Sequence, residues 1–149
     1  MKGIKPWGYE QWKFKYFYVY GLVEPLTGDS FFYELSHLDT LCWEIFLWKF
    51  AQQYPNDLHI LQVDRAPSHT CSWLQVPENV ILLFQPSYCP QVNPIERLWE
   101  FIKSFLRWEN FTDLDSLKKR VQEIIDRLSQ ETISSLTGWD FILNALSFA

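Results

Sequence analysis

Apolar and polar residues alternate with a period of two near the N-terminal end of the chain. In "WKFKYFYVYGLV", Trp12, Phe14, Tyr16, Tyr18 and Tyr20 point one way, and Lys13, Lys15, Phe17 and Val19 the other. Aromatic and β-branched residues at that period predict a strand. "EPLTGD" supplies the turn residues Pro25 and Gly28, and "SFFYEL" returns, so residues 12–35 are expected to form a β-hairpin. The period then changes. Residues 38–53 read as a helix whose buried face carries Leu41, Ile45 and Trp48 with Cys42 and Phe46. Ser36 or Asp39 caps it, and Pro55 lies just past its end.

Two continuous apolar runs follow, "LHILQVD" ending in Asp64 and "NVILLFQ" ending in Gln85. Each has the pattern of a strand buried on both faces. Between them, "APSHTCSWLQ" has room for a short helix. A Pro-rich stretch, "QPSYCPQVNPIERLWE", runs into the next helix. Asn93 is a good N-cap, Pro94 is favoured at the first helical position, and Glu96 falls three residues after the cap. The apolar stripe of that helix is Ile95, Leu98, Trp99, Ile102, Phe105 and Leu106. A further helix opens near Thr112 and Asp115, with Leu114, Leu117, Val121, Ile124 and Leu128 on its inner face. A last helical piece runs through "QETISSLTGW", with Gly138 near its end. No linker interrupts this order, so residues 1–149 are expected to form one α/β domain.

Composition narrows the class. Hydrophobic residues make up 48% of the chain and aromatic residues 18%, enough for a packed core. The net charge is −5, whereas a stand-alone DNA-binding domain is usually basic. Any contact with nucleic acid must then rest on local patches or on sequence beyond this chain. Cys42, Cys71 and Cys89 are far apart and form no C-x-x-C pair, so their spacing does not point to zinc. An odd cysteine count and a polar N-terminus predict reduced thiols in a cytoplasmic protein. No apolar run approaches the roughly 18 residues that a membrane span requires.

Two acids stand out by position. Asp64 ends a predicted strand, and Glu96 begins a helix just after the next strand. Sites in open α/β sheets form at the carboxyl ends of strands. Two carboxylates converging there would suit a hard divalent cation, which takes oxygen ligands, and paired metals can activate a nucleophile at phosphorus. Each residue also has a purely structural role open to it. Asp64 would serve as a turn residue, Glu96 as a helix-capping residue and His69 as a hydrogen-bonded surface histidine. The aromatic residues of 12–20 would be core, and Lys118, Lys119 and Arg120 a solvated face.

"VDRAPSH" followed by "FQPSYCPQVNPIERLWEFIK" resembles the catalytic signature of the DDE transposases, in their mariner-like insertion-sequence branch. In that branch a strand ends in D-N-A-x-x-H, matched here by Asp64, Ala66 and His69. A second strand leads to a form of L-P-P-Y-S-P-x-L-N-P-I-E, matched by Pro86, Tyr88, Pro90, Asn93, Pro94, Ile95 and Glu96, with Trp99 beyond. Residues 65–95, 31 in all, separate the two acids, similar to the family spacing. The hairpin before the first helix also resembles the family's.

The resemblance implies an RNase H-like mixed sheet flanked by helices. It implies metal-dependent cleavage of DNA at transposon ends, followed by strand transfer. Asp64 and Glu96 would be catalytic metal ligands, the second and third of an Asp, Asp, Glu set. His69, Asn93 and Pro94 would support them. The cofactor would be Mg²⁺ or Mn²⁺, with two ions expected only in the complete site. The partners would be DNA, transposon ends and target, with a homodimer or pairing with intact transposase, and no membrane.

The family's first Asp lies on a strand before the hairpin. None of Glu10, Glu24 or Asp29 ends such a strand, so that strand is expected to be lacking here. Arg65 stands where the family has Asn, and Ser87, Cys89 and Gln91 also depart from its pattern. The resemblance thus leaves two readings: a catalytic fragment completed by an Asp from elsewhere, or an inactive transposase remnant serving as an interaction module.

Overall fold

The computed structural model describes residues 16–86 and 93–146. The predicted strand positions 12–15 and the motif residues 87–92 lie outside the described residues. The hairpin is formed by β1 (Tyr18–Val23) and β2 (Ser30–Leu35), antiparallel, with Tyr20 opposite Tyr33 and Gly21 opposite Phe32. Its turn closes through Glu24 N–H to Asp29 C=O and Gly28 N–H to Glu24 C=O. Gly28 has φ 79°, the left-handed region, and a Cβ there would run into the backbone carbonyl of Gln130.

Helix α1 (Thr40–Gln53) follows, capped by the Asp39 carboxylate on Cys42 N–H at 2.8 Å. It ends before Pro55, as expected. Its buried face is Cys42, Trp43, Phe46, Leu47, Phe50 and Ala51. Cys42 and Phe46 are buried as expected, but the rest of the predicted face is corrected, because Leu41, Ile45 and Trp48 are exposed. The helix is apolar on most sides, so two stripes rotated by one residue both satisfy the helical period, and only tertiary packing chooses between them.

Strands β3 (His59–Val63) and β4 (Val80–Phe84) pair in parallel, with Val63 beside Phe84. Helix α1 covers one face of both sheets. Tyr20 from the hairpin, Leu61 and Val63 from β3 and Val80 from β4 join its buried side chains in one cluster. The two strands are not buried on both sides, contrary to expectation. Ile60, Ile81 and Leu83 on the other face are exposed. The segment 65–79 contains turns, not the predicted short helix, with His69 and Thr70 N–H both donating to Ala66 C=O. Among the described residues the sheets stay separate, β1–β2 and β3–β4.

The second face of the hairpin is covered by α2 (Ile95–Leu106), α3 (Leu114–Asp126) and α4 (Gln130–Thr137). Leu98, Ile102, Ile124 and Ile133 are buried there against Val23 and Phe32. Phe105, expected inside, is 45% exposed. Asp113, between the predicted openers Thr112 and Asp115, caps α3 on Ser116 N–H at 2.7 Å. Lys118 and Arg120 are paired, not merely solvated: Lys118 meets Glu34, and Arg120 forms a two-pronged contact with Glu109. Gly138 ends α4, and α5 (Asp140–Leu146) was not anticipated.

Candidate functional site

The parallel pairing of β3 and β4 places their carboxyl ends together. Asp64 follows Val63 directly. Gln85 follows Phe84 at the end of β4. Gln85 is buried; its N–H donates to Val63 C=O at 2.9 Å, and its Oε1 accepts from Gln62 at 3.3 Å. These bonds fix the end of β4 against the residue before Asp64. The segment leading to Glu96 therefore departs from the same end of the sheet that carries Asp64.

Asp64 is half-exposed and well held. Its Oδ1 accepts from Ala66 N–H at 3.0 Å, the side-chain turn expected of Asp after a strand. His69 Nδ1 lies 2.7 Å from the same oxygen and 3.3 Å from the Asp64 carbonyl. Facing two acceptors, Nδ1 must carry a proton, which leaves Nε2 as the other ring nitrogen. Trp43 backs the imidazole, with ring centroids 4.4 Å apart. Trp43 is 4% exposed, and its Nε1 is buried without a partner among the described residues. The structure thus brings Asp64 and His69 together and adds Trp43 behind them. The sequence did not single out Trp43, because the predicted face of α1 was phased differently.

Glu96 stands in the first turn of α2, exposed, where a carboxylate is favoured by the helix dipole. Pro94 is the cap residue and is already helical, with φ −57° and ψ −36°. No side chain caps the helix. The expected Asn93 side-chain cap is therefore not made. Asn93 contributes its carbonyl, which accepts from Glu96 N–H at 3.3 Å. A proline that enters in helical geometry starts the turn by itself, so the Asn side chain is not needed to begin it. Further along, Trp99 packs edge-on against Phe32 with centroids 5.8 Å apart, which seats α2 on the hairpin. Arg97 lies over the Trp139 ring, 3.4 Å from its centroid. Arg65 lies 5.7 Å from the centroid of Phe84.

The donor chemistry suits a hard cation. Asp64 commits Oδ1 to two donors, and its Oδ2 has no hydrogen bond among the described residues. Glu96 is an exposed carboxylate. Among the described residues, however, no group of three potential ligands includes either of them. No described helix is long and apolar enough to cross a membrane.

Compared with known families, residues 2–118 match the DDE superfamily endonucleases. A protein of Sinorhizobium fredii, described as uncharacterized protein y4pE/y4sA, is 30% identical over 102 residues. That alignment covers 67% of this chain and 76% of the relative. No solved structure matches the chain significantly.

Proposed function

Because the chain belongs to the DDE superfamily endonucleases, we propose that it is a transposase catalytic domain of the mariner-like insertion-sequence branch, acting on DNA. Asp64 and Glu96 are its second and third acidic ligands. The observation that carries this reading is Asp64 at the carboxyl end of β3, one oxygen held by Ala66 N–H and His69 and the other without a hydrogen bond among the described residues. His69 and Trp43 are positioning residues for that carboxylate, and Pro94 sets the entry of the helix that bears Glu96. Both ligands are carboxylates, the donor set Mg²⁺ or Mn²⁺ takes. Bound there, the ions supply activation of water or of a 3′ hydroxyl and stabilise the departing oxygen. The chain's own part is to present the two carboxylates, with Asp64 oriented by Ala66 N–H and His69.

Among the described residues the two sheets do not pair, which supports an RNase H-like arrangement in which another strand lies between β1 and β3. That strand would carry the first Asp and join β1–β2 and β3–β4 into one sheet. The alternative is an inactive remnant that pairs with intact transposase; the lack of a third ligand beside Asp64 or Glu96 among the described residues favours it. A DNA-nicking assay separates the two. The protein is supplied with a chain carrying the first acidic strand and compared as wild type, Asp64→Asn and Glu96→Gln. Mg²⁺-dependent cutting lost in both variants supports the assignment. Cutting retained by either variant refutes it, and no cutting by any form favours the remnant.

A further inference from the structure

The segment between β2 and α1 brings together three side chains of different donor type. His37, Asp39 and Cys42 each offer one ligand atom, and the three atoms lie within 4.8 Å of one another. Their meeting has local causes. Asp39 caps α1 through Oδ1, which draws its carboxylate over the first turn, where Cys42 sits. Tyr20 on β1 donates its hydroxyl to His37 C=O at 3.0 Å, which pins the loop to the hairpin. Ser36 Oγ lies 2.8 Å from His37 Nδ1 and steers the imidazole. Cys42 is 7% exposed at the edge of the core, while His37 and Asp39 face solvent. An ion arriving from solvent would meet the imidazole and carboxylate first and the sulfur beneath them.

The donor set selects the class of ion. Thiolate and imidazole favour zinc and its borderline-soft neighbours, whereas Mg²⁺ asks for oxygen. Three protein ligands with one position left to water is the make-up of an open zinc site. Hydrogen bonding of the other ring nitrogen, as Ser36 is placed to provide, is a regular accompaniment of a ligating histidine. The N-terminal end of α1 opposes a cation with a partial charge of about +0.5. The Asp39 carboxylate and a Cys42 thiolate oppose that with two full negative charges. Asp39 is ionised at neutral pH, its carboxyl held below the usual range by the Cys42 N–H.

We propose that His37, Asp39 and Cys42 bind one Zn²⁺-class cation at the start of α1, separate from the carboxylates Asp64 and Glu96. On binding, the Cys42 thiol releases its proton to solvent and the sulfur takes the metal as a thiolate. The ion would tie the β2–α1 loop to the first turn of α1, next to Trp43.

Co²⁺ titration of the purified 149-residue chain tests this, because thiolate coordination gives cobalt a near-ultraviolet charge-transfer band. The expected result is a one-to-one band that Zn²⁺ displaces, absent in Cys42→Ser. Asp39→Asn retains a side chain able to cap α1 and should bind markedly more weakly, as should His37→Ala. Ser36→Ala should weaken binding by about tenfold. Asp64→Asn combined with Glu96→Gln should leave the band unchanged, so its outcome is independent of the cleavage reading. Circular dichroism checks that each variant is folded; if Cys42→Ser is not, the two surface variants decide. No band in the wild-type chain overturns the proposal. So does a band that survives Cys42→Ser, which would assign it to Cys71 or Cys89, or one lost with Asp64 and Glu96.

Discussion

Gly21→Ala should loosen the seat of the helix that carries Glu96. Gly21 lies in the middle of β1, opposite Phe32, where glycine is otherwise unfavourable and marks a close approach. A Cβ placed there would lie 2.8 Å from Trp99 Cζ2 and 2.9 Å from the Phe32 ring. Ordinary carbon contacts begin at about 3.5 Å, so the new methyl overlaps the indole by roughly 0.7 Å on that scale. The indole is one helical turn beyond Glu96, and Leu98 beside it is fully buried. The helix therefore has to move outward or Trp99 has to leave its rotamer. Overpacking of this kind costs about 1–3 kcal/mol. Restricting the unfolded chain returns about 0.4–1 kcal/mol. A net loss of about 1–2 kcal/mol is expected. Urea melting reads it as a lowered midpoint at unchanged slope. In a cutting assay, a displacement near 1 Å at a reacting group costs on the order of 10²-fold. Trp99→Leu removes the obstructing ring, so Gly21→Ala should be nearly harmless in that background, with a coupling of about 1 kcal/mol or more. An unchanged midpoint for Gly21→Ala, with strictly additive effects in the double variant, would show that α2 does not depend on this contact.

Phe46→Ala should destabilise the chain by about 3–5 kcal/mol, because Phe46 is fully buried and packs against Tyr20, Phe31 and Trp43; thermal or urea unfolding measures it. The caps give an acid limb. Asp39 and Asp113 are held below the usual carboxyl range by the backbone N–H groups of Cys42 and Ser116. Their contribution is whole above the unfolded value of about 4 and is lost as pH falls through the lower folded values. Asp113→Asn should flatten that part of a stability–pH curve. Tyr20 gives the opposite limb. Burial pushes its hydroxyl up to about 12, with Cys42 adding to the shift. Its contribution is whole below about pH 10 and is lost as pH rises toward 12, and Tyr20→Phe should remove that slope.

Much of this arrangement was legible in the sequence where two signals agreed. The hairpin had alternation on its first arm, an aromatic second arm and a glycine at the one turn position needing positive φ. The inner face of α2 had a clear stripe, and Leu98 and Ile102 are its buried residues. Where only one signal spoke, the outcome differed. Helix α1 is apolar on most sides, so periodicity gave its existence but not its rotation, and Trp43 was not singled out. The runs in β3 and β4 looked buried on both faces because hydrophobicity does not say whether a neighbour is present to cover them. Asn93 had the composition of a cap, but its side chain stays out of the role that Pro94 geometry makes unnecessary. The His37, Asp39 and Cys42 cluster has no motif spacing at all; it arises because a helix cap and a hairpin hydroxyl fold one short loop back on itself.

The two acidic residues stand on unequal halves of the fold. Glu96 belongs to a helix packed on the hairpin, whose second face is covered by α2, α3 and α4. Asp64 directly follows β3, which with β4 is covered by α1 on one face and, among the described residues, exposed on the other. Helix α1 spans both sheets and, among the described residues, is the element whose buried side chains join them. Among the described residues, Asp64 and Glu96 are thus linked through the packing of α1 between β3–β4 and the hairpin, with no direct bond between the two carboxylates. In the proposed RNase H-like arrangement, a strand inserted between β1 and β3 would hydrogen-bond to both edges and fix the separation of the two carboxylates. On the proposed reading, the strand that brings the first acidic ligand would also align the other two.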